Sequence, residues 1–233
     1  MNSVKRHIPN AITCCNLFSG CVAVTMAFQG LFGWAMAFIV LGAIFDFFDG
    51  MVARLLGVSS PIGVQIDSLA DDITFGFAPS AMVYVFMQNL QYPEFLGTLA
   101  EYIPYFAFFI AVFSAMRLAI FNVDERQTTT FIGLPTPANA LFWSSLVTGI
   151  GQWIAGLNTG WALMIALVLI SSYLLVSEIP MFSLKFKSFA WADNKIRFGF
   201  LLVSIPLLFL GVSSAVAIIA LYVILSIITS LKE

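Results

Sequence analysis

The chain has 233 residues, 61% hydrophobic and only 9% charged, with a mean hydropathy of +0.99. These values exclude a water-soluble globular domain and fit an all-α polytopic membrane protein. The formal net charge is −2, with no basic tract, and no nucleic-acid partner is expected. Cys14, Cys15 and Cys21 share one apolar run without metal-ligand spacing, so they read as small packing residues.

Hydropathy and turn residues predict about eight transmembrane helices, near 9–29, 31–56, 62–88, 102–122, 136–155, 160–177, 197–211 and 213–230. No small-residue cleavage site follows the first apolar run, so it reads as a retained helix. The last two segments are short and meet at Gly211-Val-Ser-Ser214, where either two full spans or a tight re-entrant pair fits. No repeat or linker divides the chain, and residues 1–233 read as one integral-membrane domain. With the N-terminus on the cytoplasmic side, Lys5, Arg6, Arg54, Arg117, Arg126, Lys185, Lys187, Lys195, Arg197 and Lys232 all fall on that side. These are all 10 Lys and Arg residues, while Glu94 and Glu101 lie in an opposite loop. The asymmetry predicts both termini in the cytoplasm and an even number of spans. Between Pro180 and Arg197, aromatic and basic residues mix as in an interfacial segment facing membrane lipids.

The second and third spans carry four acids, Asp46, Asp49, Asp67 and Asp71, inside apolar sequence. A central Asp costs about 2.5 to 3.5 kcal/mol on insertion scales, so four together need a compensating partner. At 1.5 Å per residue, Asp49 and Asp67 lie roughly 10 Å from the cytoplasmic helix ends, and Asp46 and Asp71 roughly 15 Å. Spacings of three and four put each pair on one helix face, and antiparallel neighbours bring the faces together. Four carboxylates suit hard divalent cations such as Mg²⁺, Mn²⁺ or Ca²⁺, and the lack of nearby His or Cys argues against zinc. Gly50, Ala53 and Gly63 leave room for a bulky group, while Arg54 and Ser60 can reach a phosphate. A diphosphate at a membrane site open to the cytoplasm points to an activated lipid precursor. Intramembrane carboxylates also serve divalent-metal or proton-coupled carriers, but those tend to show internal repeats, and this chain has none.

The pattern Asp46-x2-Asp49-Gly50-x2-Ala53-Arg54-x8-Gly63-x3-Asp67-x3-Asp71 resembles the signature of the CDP-alcohol phosphatidyltransferase family. The resemblance implies a six-helix core, here with two further helices, and an enzyme that replaces CMP by an alcohol on a CDP-activated lipid. It implies two divalent ions, Mg²⁺ or Mn²⁺, bridged by Asp46 and Asp67, with Asp49 on one ion and Asp71 on the other. Asp71 would also take the proton from the attacking hydroxyl. Gly50, Ala53, Arg54, Ser60 and Gly63 would border the CDP-lipid, and Pro9-Asn10-x2-Thr13 resembles the family's helix start near the nucleotide, which adds Asn10 and Thr13. A homodimer is also implied.

Three stretches resemble the phosphatidylserine-forming subgroup: Asp67–Asp71 with Thr74–Pro79, Arg117–Asn122, and Phe131–Pro137. The expected substrates are therefore CDP-diacylglycerol and L-serine. Arg117 and Arg126 are candidates for the serine carboxylate, with Asn122 and the 128–130 loop orienting the rest. Sibling acceptors would be inositol, glycerol 3-phosphate or choline. Two positions depart from the pattern: Ile120 stands where many relatives carry a base, and Asp72 adds a fifth acid with no metal role assigned. The expected setting is the cytoplasmic membrane, with the active site open to the cytoplasm.

Overall fold

The computed structural model describes residues 2–124, 131–182 and 194–231. Arg126, the 128–130 loop, most of the proposed interfacial segment and Lys232 lie outside them. The described chain is helical apart from one two-residue ladder. Helix α1 spans Asn2–Phe28 and α2 spans Phe32–Leu56. Helix α3 covers 61–88, α4 is Ile103–Val123, α5 covers 136–155 and α6 is Gly160–Val176. Helices α7 (Lys195–Leu207) and α8 (Ser214–Ser230) close the order. The first helix starts seven residues earlier than the sequence reading, because Pro9 is carried inside it.

Among the described residues four helical stretches are long and apolar enough to cross a membrane: His7–Phe28, Phe32–Leu56, Ile103–Val123 and Lys195–Ser230. The surface is apolar as well, with Phe209, Phe95, Leu202 and Leu69 largely exposed. Such a surface is stable against lipid and would aggregate in water. The protein is an integral membrane protein.

Helices α1, α2 and α3 form an antiparallel up-down-up unit with a dry end and a polar end. Ala23 and Ala27 of α1, Ala35 and Ile39 of α2, and Phe75, Met82 and Phe86 of α3 join Trp143 of α5 and Met164 of α6 in the main core. The opposite end gathers residues 9–16, 46–54 and 60–71, which include the acids. Between these ends the helices pack very closely. A Cβ on Gly20 would lie 2.3 Å from Thr74 Oγ1, and one on Gly42 would lie 2.5 Å from Thr74 Cγ2 and 2.9 Å from Asn16 Oδ1. Glycine on both α1 and α2 therefore lets Thr74 of α3 reach the Asn16 carbonyl, to which its hydroxyl donates at 3.1 Å.

The turn from α2 to α3 sets the polar end. Gly57 is left-handed (φ 61°), and the amides of Gly57 and Val58 donate to the carbonyls of Arg54 and Ala53. Ser60 then caps α3 by accepting the Gly63 N–H at 3.0 Å, with Pro61 in the first turn. Just beyond Asp71, residues Asp72–Phe77 form a π-helical turn before α-helix resumes at Ala78–Gln88. The wider turn rotates everything beyond it relative to the acids.

Two features interrupt the helices, the first unread in the sequence and the second at the junction the sequence marked. Phe131–Ile132 (β1) pairs antiparallel with Pro180–Met181 (β2), and the amides of Gly133 and Leu134 donate to the carbonyls of Ile179 and Leu174. Gly133 is left-handed, and a Cβ there would meet the Leu175 carbonyl at 2.6 Å. This short ladder ties the strap before α5 to the end of α6. At the other site, Gly211 (φ 61°, ψ −130°) breaks the last apolar stretch. Phe200 and Tyr222, equidistant in sequence from Gly211, stack edge to face at 6.0 Å. Residues 195–230 are thus a helical hairpin, and its tip rests on α5 through the Ser145 hydroxyl bonded to the Val212 carbonyl.

Candidate active site

Three carboxylates converge at the polar end. Ligand oxygens of Asp46, Asp49 and Asp67 lie within 4.8 Å of one another. Asp46 and Asp49 share one face of α2, and Asp67 faces them from the first turns of α3. The Asp67 Oδ1 atom is buried without a hydrogen-bond partner. An all-oxygen donor set with an orphaned carboxylate oxygen suits a hard divalent cation, whose charge would offset the repulsion among the acids.

Helix α1 supplies donors to this cluster. The Thr13 hydroxyl lies 2.6 Å from Asp49 Oδ2 and 3.1 Å from the Pro9 carbonyl. It has one proton, and the shorter, charge-assisted bond to the carboxylate takes it. Asn16, fully buried, donates from Nδ2 to Asp71 Oδ1 at 3.0 Å. Asp71 is also buried, and it lies outside the three-carboxylate group while still interacting electrostatically with Asp46 and Asp67. The depth arithmetic paired Asp71 with Asp46. In the structure Asp71 interacts electrostatically with Asp46 and also takes a hydrogen bond from α1, where an amide donor offsets part of the cost of burying the carboxylate.

A cleft of about 160 Å³ adjoins the acids. Pro9, Asn10 and Thr13 line it from α1, Asp49, Gly50 and Ala53 from α2, residues 58–60 from the turn, and Gly63, Val64 and Asp67 from α3. Six of the seven residues assigned to the CDP-lipid from sequence therefore share one wall system: Asn10, Thr13, Gly50, Ala53, Ser60 and Gly63. The seventh, Arg54, is exposed, and its guanidinium lies beside Gly50, with Nη1 3.4 Å from where a Cβ would stand. Gly63 is equally constrained: a Cβ would meet Asn10 Oδ1 and Ser60 Oγ, each at 3.0 Å. Ser60 plays two parts, since its oxygen accepts the helix cap and the residue also lines the cleft.

The candidate acceptor residues separate. Arg117 is buried, donates from Nε to the Leu134 carbonyl at 2.8 Å, and lies over the Phe121 ring at 5.3 Å. It interacts electrostatically with Asp71. Asn122 is exposed and donates to Ser68 Oγ at 2.7 Å, a bond that joins α4 to α3 away from the cleft lining. Arg126 lies outside the described residues. Asp72 does not join the acids: its Oδ1 is buried against Gly76, in the same place as Ser114 of α4.

The sequence reading missed Asn16. Its signal was the run Asn10, Thr13, Asn16, Ser19, polar residues in steps of three along an otherwise apolar helix. Such a stripe winds slowly round the helix and faces one neighbour after another. Ser19 continues it by donating to the Phe38 carbonyl at 2.7 Å.

The profile of the CDP-alcohol phosphatidyltransferase family matches residues 6–171, from the start of α1 to the middle of α6. The chain belongs to the CDP-alcohol phosphatidyltransferase family. It is 37% identical over 132 residues to a Bacillus subtilis protein named CDP-diacylglycerol–serine O-phosphatidyltransferase, covering 56% of this chain and 70% of that relative. A Mycobacterium tuberculosis protein of the same name is 34% identical over 186 residues, covering 75% of this chain and 60% of the relative. A Methanocaldococcus jannaschii protein, again of that name, is 31% identical over 165 residues, covering 70% and 71%. The chain thus spans about three fifths of the mycobacterial relative and about seven tenths of the other two. The acids, the cleft and Arg117 all fall inside the family match, while the α7–α8 hairpin lies beyond it.

The Thr13–Asp49 bond gives a direct test of the metal-site reading. In an Mn²⁺ titration followed by electron paramagnetic resonance, Asp67→Asn is expected to remove high-affinity binding. Thr13→Val is expected to weaken it about 10-fold, as loss of a carboxylate's orienting partner does. Unchanged Mn²⁺ affinity in Asp67→Asn would rule out the cluster as the site.

Proposed function

We propose that this protein transfers the phosphatidyl group of CDP-diacylglycerol to the hydroxyl of L-serine, giving phosphatidylserine and CMP. The observation that carries the reading is the juxtaposition of the Asp46–Asp49–Asp67 cluster with a cleft walled by Asn10, Thr13, Gly50, Ala53, Ser60 and Gly63. The names of the relatives support serine as the acceptor.

Asp46, Asp49 and Asp67, with Asp71, would hold two Mg²⁺ or Mn²⁺ ions, which when bound neutralise the diphosphate, polarise the reacting phosphorus and stabilise departing CMP. The chain's own groups do the rest. The cleft receives the cytidine diphosphate, and the glycines let it approach the α2 and α3 backbones. Arg54 contacts the diphosphate from the mouth. Arg117, anchored through Nε, keeps its terminal amino groups for the serine carboxylate. Asp71 accepts the serine hydroxyl proton. The serine oxygen then bonds to the phosphorus that carries diacylglycerol, the bond from that phosphorus to the CMP oxygen breaks, and CMP leaves with the electron pair. The lysine and arginine asymmetry favours eight spans with both termini and the cleft mouth on the cytoplasmic side of the cell membrane. The chain acts as a single domain, and we infer that it works as a homodimer, as its family likeness implies.

The deciding experiment follows CMP release by the purified protein with CDP-diacylglycerol, Mg²⁺ or Mn²⁺, and serine, inositol, glycerol 3-phosphate or choline in turn. Release is expected with serine alone and is expected to stop with EDTA. Release with another alcohol and not with serine would reassign the acceptor, and activity surviving EDTA would remove the metals.

Asp71→Asn is expected to retain CDP-diacylglycerol binding while turnover falls about 100- to 10,000-fold, the usual contribution of a positioned base. Turnover within a few-fold of the native chain would remove Asp71 from that role. Arg117→Ala is expected to raise the serine KM roughly 10- to 100-fold, the weight of a charge-assisted hydrogen bond, and to leave the CDP-diacylglycerol KM nearly unchanged. Equal changes in both would assign Arg117 to the fold instead.

A further inference from the structure

We propose that Asn16 is the positioning residue of the transfer: its amide holds Asp71 Oδ1 and so leaves Oδ2 as the oxygen that receives the acceptor's proton. The inference rests on Asp71 acting as the base. It goes beyond that reading by naming the group that orients the base and the oxygen that reacts.

The geometry carries it. Asn16 is fully buried and its Nδ2 lies 3.0 Å from Asp71 Oδ1. An amide NH₂ can only donate, so the oxygen facing it must accept, and a proton on that oxygen would be opposed by the amide hydrogen. A hydroxyl in the same place could reverse its role and would leave the choice between the two carboxylate oxygens open. The other end of the amide, Asn16 Oδ1, is buried with no hydrogen-bond partner. Leaving a buried carbonyl unpaired is costly, and the bond to Asp71 is what this rotamer gains in return.

The backbone of Asn16 is held as firmly as its side chain. Thr74 donates to the Asn16 carbonyl at 3.1 Å, and Thr74 sits where Gly20 and Gly42 admit it. Gly42 also makes the space for the amide itself, since a Cβ there would stand 2.9 Å from Asn16 Oδ1. Three helices thus fix the donor that aims Asp71. Helix α1 repeats the device one turn earlier, where Thr13 holds Oδ2 of Asp49. A residue present only to fill the interface would need none of these polar contacts, and an apolar side chain would serve it better.

The test uses the purified full chain with CDP-diacylglycerol, serine and Mn²⁺. Asn16→Ala is expected to lower kcat about 10- to 100-fold, part of what a well-placed base contributes, with both KM values within about threefold of the native chain. A misaimed base makes proton transfer slower relative to the other steps, so the solvent deuterium isotope effect on kcat is expected to rise. A packing role would move neither the isotope effect nor the ratio of kcat to KM in this way. If the alanine variant does not fold, Asn16→Thr fills more of the space with a shorter reach and is expected to show the same changes. A native kcat in the folded variant, or a loss confined to the CDP-diacylglycerol KM with an unchanged isotope effect, overturns the proposal. Asp71→Asn assayed beside it separates the two readings. If Asp71→Asn is inactive while the Asn16 variants are native-like, only the positioning role fails. If Asp71→Asn is active, the base assignment falls and this inference with it.

Discussion

Carboxylate crowding in an apolar bundle is the constraint on which this structure depends. Asp46, Asp49 and Asp67 put their oxygens within 4.8 Å of one another, and Asp71 is buried nearby. Each charge is costly to remove from water and each repels the others. Among the described residues the fold answers with neutral hydrogen-bond donors on α1. Thr13 serves Asp49, Asn16 serves Asp71, and the remaining demand, seen in the orphaned Asp67 Oδ1, is what a divalent cation satisfies. A lysine in the cluster would quench the same charge permanently and leave nothing for a cation to do. Neutral donors orient the acids and preserve their charge.

That arrangement depends on the tight packing of α1, α2 and α3. Donors on α1 reach acids on α2 and α3 only if the three backbones come close together. Gly20, Gly42 and Thr74 provide the approach, since a Cβ at either glycine would collide with Thr74. In a membrane there is little hydrophobic drive between helices, and small residues gain contact area and hydrogen bonds instead. The glycines near mid-bundle and the acids toward one end are therefore two parts of one arrangement. The π-turn over Asp72–Phe77 belongs to it as well. It begins directly after Asp71, so the acids keep the register of the first turns of α3 while Phe75 and Gly76 take up positions in the packed layer beyond.

Much of this was readable from the residues. Apolar run lengths located the helices, and the three- and four-residue spacing of the acids put them on facing sides of α2 and α3. Small residues beside them marked the cleft. What escaped was whatever depends on the rotation of one helix about another. Asp71 was matched by depth with Asp46, but depth carries no azimuth, and the donor on α1 decided its direction. Asn16 was passed over because a single polar residue in an apolar helix has little meaning until its neighbour is known. Asn122 followed the same logic in reverse: its place in a recognisable stretch suggested the site, while its position on α4 directs it to Ser68. The β1–β2 ladder is two residues long, too short to leave any periodicity.

The last third of the chain, generic in sequence, reaches Arg117 through the strap that carries Leu134 and through Tyr222. Arg117 is anchored by the Leu134 oxygen. Leu134 is buried, donates its own amide to the Leu174 carbonyl, and packs with Met181 and Ile219. Ile219 belongs to α8, and Tyr222, one turn further, packs against the same cluster and donates to the Phe182 carbonyl. The ladder of β1 with β2 holds the strap that carries Leu134. The bond from Nε to the Leu134 carbonyl holds the buried guanidinium in one orientation. The hairpin beyond the family match thus reaches Arg117 in two ways: it packs on the strap that carries Leu134, and its Tyr222 interacts electrostatically with the guanidinium.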